Sequence, residues 1–381
     1  MLQPNEIEFI ANNGHRSPSA IALDARKFPE LEIKKLAHQI QARQKLATKL
    51  PSWVAEKKVF FPASISLEQS SSESTAKYKA SLVSGRLIDI TGGMGVDTWA
   101  FAQTCAQVTY VEMQEELAAI TKYNHEVLGV KNIAHFAKNG LEALNEVDID
   151  WIYVDPARRN ALGEKVILFR DCQPNVLDVI AQHPTKKILI KTSPVLDISR
   201  AVHELGGVSQ VYVVSTKQEV KELLFVKAGN ESLDPKITII EEGQTIFEGT
   251  QMVERNAENL IGSLKRYVYE AHPGVMKAGF FKSVQRNGLV QLGQHTHLYC
   301  SESLLKDFPG KIYEVIESGP VQANWLSVNQ ANISTRNFPM SPEALRKKLK
   351  LKDGGAYTLF GIQNSSQKNE LILTKKITFA D

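Results

Sequence analysis

The chain has 381 residues, enough for two or three domains each with its own core. At 43% hydrophobic and 23% charged, without a long low-complexity tract, its composition excludes a disordered or fibrous protein, and a formal charge of +3 is too small to name a partner. Cys105, Cys172 and Cys300 lie far apart with no CxxC, which argues against a disulfide framework or a zinc site, and no apolar run approaches the ~20 residues that cross a bilayer. The expectation is a cytoplasmic protein with no metal and no membrane partner. From Met1 to about Leu50 the pattern is helical and polar, with Leu36, Ile40, Ala47 and Leu50 near one face and Lys34, Lys35, Arg43, Lys45 and Lys49 outside it. The serine-rich SLEQSSSESTAKYKA (66–80) reads either as a linker or as a helix capped by Ser72 or Ser74.

From Arg86 onward strand and helix patterns alternate. RLIDI, QVTYVEM, NIAHFAKN, WIYVDP and KKILIKTS read as strands, with helices predicted at 96–105, 114–128 and about 168–182. SQVYVVST and ELLFVKA are too close for a helical crossover and predict an antiparallel hairpin. The alternation implies a doubly wound, Rossmann-like α/β sheet. After about Tyr269 short β-like pieces follow, then a helix with Ser341 at its N-cap, Pro342 next and Gly354 beyond its end. His295 and His297 read as alternating strand residues, because no Cys or His stands at metal spacing beside them.

Ligands of such a sheet sit beyond the carboxyl ends of its strands. DITGGMGVDT ends the first one: Gly92, Gly93 and Gly95 allow a tight turn and close approach, and the next helix aims its N-terminus at the ligand. Glu112 ends the second strand 20 residues after Gly92, placed for two vicinal ribose hydroxyls. An NAD fingerprint lacks its third glycine, since Thr98 stands there. An S-adenosylmethionine (SAM) turn has its acid in Asp89, an acceptor for the methionine ammonium. The plain alternative is an ordinary turn between strand and helix with solvated carboxylates. The tip of the fourth strand, DPAR, chooses between the cofactors.

Asp155–Arg158 resembles the D/N-P-P-x tetrapeptide of class I SAM-dependent methyltransferases acting on amino groups or nucleobases. FPASISLEQSSSESTAKYKA, TGGMGVD, DPARR, KTSPVLDI, RNFP and LRKKLKLKDGG are similar, in this order, to strings of a group of bacterial class I methyltransferases with a THUMP-like C-terminal domain. The residue pattern sets off a helical segment at 1–65 from an expected methyltransferase domain at 66–269, and the resemblance implies a ferredoxin-like segment at 270–320 and a THUMP-like domain at 321–381. It implies SAM as cofactor, with Asn139 at the adenine and Gln69 at the methionine end. Asp155 and the Pro156 carbonyl would accept from the target amine, while Arg158 takes the place of the usual stacking ring. Arg158, Arg159 and Lys191 form the expected substrate set around this tip. The stretch after the next strand holds Ser193 and no cysteine, which excludes covalent uridine-C5 chemistry.

Residues 331–381 hold nine Lys and Arg against four Asp and Glu. THUMP-like units resemble RNA-binding modules, so Arg336, Lys347, Lys348 and Lys350 are the expected phosphate contacts on an RNA, with tRNA and rRNA as candidates. The plain alternative for a charge run is a solvated helix face. The leading reading is methyl transfer to a nitrogen or oxygen of an RNA nucleotide. Its rivals are a SAM methyltransferase acting on a small molecule or protein, and a non-catalytic RNA-binding protein with a vestigial cofactor fold.

Overall fold

A computed structural model describes residues 1–62, 67, 69–157 and 168–379. They form two compact units: Met1–Ser209 with Leu223–Leu233, and Gln210–Glu222 with Asp234–Asp381. Among the described residues no helix is long and apolar enough to cross a membrane.

The first unit begins with helices α1 (Pro4–Asn13), α2 (Pro18–Leu23), α3 (Ile33–Leu46) and α4 (Pro51–Ala55). Their apolar faces meet in a cluster that includes Phe9, Ile10, Ile21, Ile33, Leu36 and Ile40. Two positions depart from the helical expectation. Ala47 is exposed because α3 stops at Leu46, leaving Leu50 to be buried from the next turn of chain. Arg43 does not point simply outward; its guanidinium donates to the carbonyls of Val54, Lys57 and Val59 at 3.0, 2.8 and 2.7 Å, and so caps the end of α4. The serine-rich stretch resolves in favour of the helix: Ser72 Oγ accepts from Thr75 N–H and opens α5 (Glu73–Ser81).

Five parallel strands then build the sheet: β1 (Arg86–Asp89), β2 (Gln107–Glu112), β3 (Ile133–Ala137), β4 (Trp151–Val154) and β5 (Lys187–Thr192). Their order is β3-β2-β1-β4-β5, and the Leu223–Lys227 part of β7 (Glu219–Lys227) lies antiparallel on β5. The near-continuous apolar strands are those of a sheet covered on both faces. Helices α6 (Val96–Phe101), α7 (Glu115–Val127), α8 (Gly140–Ala143) and α9 (Val176–Gln182) connect them, and α10 (Ile198–Glu204) follows β5. The chain leaves β1 toward β2 on one side and later returns to β4 on the other. That reversal opens a crevice at the carboxyl ends of β1 and β4.

In the second unit β6 (Gln210–Thr216) pairs in parallel with β8 (Lys236–Glu241), which pairs antiparallel with β9 (Gln244–Gly249). Lys217 and Gln218, both at positive φ, make the two-residue turn out of β6. After α11 (Gln251–Asn256), a seven-stranded sheet takes in β10 (Tyr267–Ala271), β11 (Val290–Gln291), β12 (Leu298–Ser301), β13 (Gly310–Gly319), β14 (Asn332–Arg336), β15 (Tyr357–Gln363) and β16 (Asn369–Lys376), in the order β11-β12-β10-β13-β16-β15-β14. Helix α12 (Pro273–Ala278) follows β10, and α13 (Pro342–Leu349) lays Leu345 and Leu349 on the sheet beside Leu359 and Leu371. The Ser341 cap and Pro342 stand as expected and Gly354 lies beyond the helix, whose own end is made by Lys350 in the left-handed region. His295 and His297 are turn residues, not strand residues: the chain reverses there, with His297 at positive φ and Thr296 Oγ1 donating to the Gly293 carbonyl.

Candidate active site

The glycine turn is fixed from behind. A Cβ on Gly92 would lie 2.2 Å from the Tyr110 ring, so only glycine passes there. The next carbonyl, of Gly93, accepts from Tyr110 Oη at 2.7 Å and Thr121 Oγ1 at 3.1 Å. His125 Nε2 sits 2.9 Å from the Gly95 carbonyl, which can only accept, so that nitrogen carries the proton. Nδ1 is then the acceptor for His135 Nε2, 2.9 Å away. Burial pushes His125 down to about 3, which keeps this support neutral. In front of the turn there is room: among the described residues a Cβ on Gly93 would meet nothing nearer than the Thr91 carbonyl at 3.8 Å.

Three acids stand at the strand tips. Glu112, at the end of β2, accepts from Gly93 N–H at 3.0 Å and from Gln114 N–H at 2.9 Å, which locks its carboxylate to the turn. Asp89, at the end of β1, is 1% exposed. It accepts from Thr98 Oγ1 at 2.6 Å and from Thr91 N–H at 3.0 Å. Burial raises it to about 7, and the charges of Asp97 and Asp155 add to the rise. Asp155, just past β4, receives Lys191 Nζ of β5 at 2.5 Å, while its own N–H donates to Thr91 Oγ1 at 2.8 Å. Thr91 therefore joins the tips of β1 and β4.

The structure brings Asp89, Gly92, Gly93, Gly95, Glu112, Asp155 and Lys191 together at the crevice, and Pro156 is buried beside Asp155. Gln69 is exposed. Asn139 is exposed as well and uses its side chain to cap α8, accepting from Leu141 N–H at 2.9 Å. Arg158 and Arg159 lie outside the described residues. The expected phosphate contacts belong to the second unit, where Lys347, Lys348 and Lys350 are exposed. Arg336 is engaged within the protein: its Nη2 donates to Glu270 Oε1 at 2.6 Å.

Sequence reasoning missed two groups of residues. One is a buried polar set of Lys79, Ser71, Asp97 and Tyr153, whose charged members sit inside AKYKA and GVD, strings read above for the capped helix, the glycine turn and the resemblance, without a role for Lys79 or Asp97. The other is Met113, which is 66% exposed directly after Glu112. An apolar side chain held in water beside a fixed carboxylate suits a ligand with a flat base and a diol. The excess of acids at the tips suits a ligand that is also cationic. The site therefore fits a nucleoside bearing positive charge better than it fits an anionic dinucleotide.

Sheet order, glycine turn and strand-tip acids define the class: a methyltransferase domain of the class I, Rossmann-like fold. A family model described as a ferredoxin-like domain matches residues 267–309, and one described as THUMP domain-like matches residues 310–376. The chain is similar to a candidate methyltransferase from Porphyromonas gingivalis W83, at 32% identity over 99% of this chain and 100% of that one, with a TM-score of 0.87. It belongs to that family, bacterial class I methyltransferases with a THUMP-like C-terminal domain. An rRNA methylase from Streptococcus thermophilus is 15% identical over 40% of this chain and 92% of its own, with a TM-score of 0.29. A candidate methyltransferase from Streptococcus mutans, in complex with SAH, is 14% identical over 40% and 93%, with a TM-score of 0.30. Neither overlap is close enough to bear on function. No curated protein matches the sequence.

Proposed function

We propose that this protein transfers the methyl group of SAM to a nitrogen or oxygen of an RNA nucleotide in the cytoplasm. The observation that carries the cofactor half is Glu112. Two of its lone-pair positions hold Gly93 and Gln114 N–H, and a carboxylate keeps others for the two ribose hydroxyls. Met113 offers the base an apolar face, Asn139 flanks it, Gly93 leaves space for the chain of the ligand, and Asp89 with Gln69 serves the methionine end. When bound, SAM supplies a methyl group activated on a sulfonium. Displacement by a poised nucleophile then depends on orientation more than on a strong base. Asp155 supplies that orientation: Lys191 and Thr91 hold it while its side chain stays 35% exposed, and the Pro156 carbonyl adds a second acceptor. Arg158 and Arg159 follow in sequence and would grip the base or its phosphate. The RNA half rests on the likeness to a THUMP domain and on the exposed Lys347, Lys348 and Lys350.

The test has two arms. Calorimetric titration with SAM, S-adenosylhomocysteine and NAD should show binding of the first two only, weakened by ~1.5–3 kcal/mol in Glu112→Ala through loss of charged hydrogen bonds. Transfer of labelled methyl to bulk RNA should then be lost in Asp155→Ala while S-adenosylhomocysteine still binds. Full methylation by Asp155→Ala would remove that residue from the chemistry. Binding of NAD alone would overturn the enzyme class.

A further inference from the structure

Two charged side chains have no task in that mechanism, yet they meet inside the first unit beside the site. Lys79 of α5 is fully buried, with Nζ 3.2 Å from Asp97 Oδ1 of α6 and donating to Ser71 Oγ at 3.0 Å. Ser71 donates in turn to Asp97 Oδ2 at 2.9 Å, and Tyr153 Oη donates to the same oxygen at 2.7 Å. These contacts tie three pieces of the site together. Ser71 belongs to the serine segment, Asp97 to the first turn of the helix that follows the glycines, and Tyr153 to β4, two residues before Asp155. Stability explains the pair poorly, because a well-packed apolar pair of similar size is commonly as stable as a buried ion pair, or more so. What an ion pair adds is a fixed geometry, and here that geometry joins the segment ahead of β1 to the cofactor turn.

We propose that Lys79 is a positioning residue for the cofactor: through Asp97 and Ser71 it clamps the serine segment onto the glycine-turn helix and thereby sets cofactor affinity. The inference rests on the cofactor reading above. The groups acting on Asp97 are Lys79 from α5, Lys191 from β5, Tyr153 from β4, Ser71 from the serine segment and Asp89 from β1. Burial pushes the Asp97 carboxyl up, but the two lysines and the two hydroxyls outweigh it and hold the group below its ordinary range. With Lys79 gone, burial and Asp89 are opposed only by Lys191 and the two hydroxyls, and Asp97 takes up a proton closer to neutrality.

The experiment is a double-mutant cycle on S-adenosylhomocysteine affinity, read by calorimetry on the full chain over a pH series. Lys79→Met should lose roughly 10–100-fold at neutral pH and regain part of it as the pH falls. Lys79→Met/Asp97→Asn should bind more tightly than Lys79→Met at neutral pH and show no such trend. A pair that only stabilises the fold would lower the melting temperature and leave the affinity of the folded protein unchanged. That result, or single losses that simply add, overturns the inference. If Lys79→Met does not fold, Asp97→Asn decides against the double variant: affinity recovered in the double supports the clamp, and further loss overturns it. Wild-type protein that binds no S-adenosylhomocysteine overturns the cofactor reading and this inference together.

Discussion

Asp89 holds its carboxyl where water barely reaches, 1% exposed, and burial with two acids nearby raises it to about 7. The unfolded chain would ionise the same group near 4. Between those values the folded state binds the extra proton, so stability falls as pH rises from about 4 to about 7 and then levels off. Asp89 therefore costs the ligand-free protein stability at neutral pH. Asp89→Asn keeps an acceptor for Thr91 and removes the charge, so it should raise the melting temperature above pH 7 and flatten the pH dependence below it. Thermal unfolding of both proteins across that range decides; an unchanged slope would mean that Asp89 ionises freely in the folded state. A cost of this kind is typical of a group kept for binding rather than for folding.

At the scale of elements, the glycine turn shows what a sequence does and does not reveal. Spacing alone located the turn, because a strand followed by Gly92, Gly93 and Gly95 and a helix has few other solutions. The residues behind it were not legible: Tyr110, Thr121 and His125 look like ordinary positions of a strand and a helix, and only the folded register brings them onto the Gly93 and Gly95 carbonyls. The same holds for Lys79 and Asp97, which are 18 positions apart in sequence and meet only once α5 packs on α6. Strand cores were readable because buried parallel strands are apolar throughout, whereas ends depend on caps and turns that periodicity does not encode, as at Ala47 and at the His295–His297 reversal. Gly95 tests the packing claim. Its φ is +79°, and an added Cβ would lie 2.4 Å from Thr121 Cγ2. Gly95→Ala should therefore cost about 2–4 kcal/mol in denaturant unfolding, strain and overpacking combined. Gly129 has nearly the same φ, +78°, with nothing within 4 Å among the described residues, so Gly129→Ala should cost only the ~1–2 kcal/mol of strain. Equal losses at the two sites would show that crowding behind the turn is not what demands glycine.

Across the whole molecule, the proposed chemistry falls to the first unit and the excess of basic charge to the end of the second. Charge counting alone could not decide between an RNA face and a solvated helix, and the structure sharpens the choice by sorting the candidates. Arg336 is held by Glu270 and Arg346 by Asp353, at 2.6 and 2.5 Å, so both charges are answered within the protein. Lys347, Lys348 and Lys350 remain exposed around the end of α13. A lysine that binds a phosphate releases a counterion and steepens the salt dependence of affinity by about 0.7–0.9 in log–log slope. If the three lysines all meet RNA, replacing them together with alanine should lower that slope by roughly 2–3 and weaken binding across unrelated sequences. Arg336→Ala should leave the slope nearly unchanged and lower the melting temperature instead, since it strips a partner from Glu270, whose side chain is only 16% exposed. Filter-binding titrations from low to physiological salt read both effects. A triple-lysine variant with the wild-type slope would make α13 a solvated face, and the RNA, if one is bound, would have to be held elsewhere on the chain.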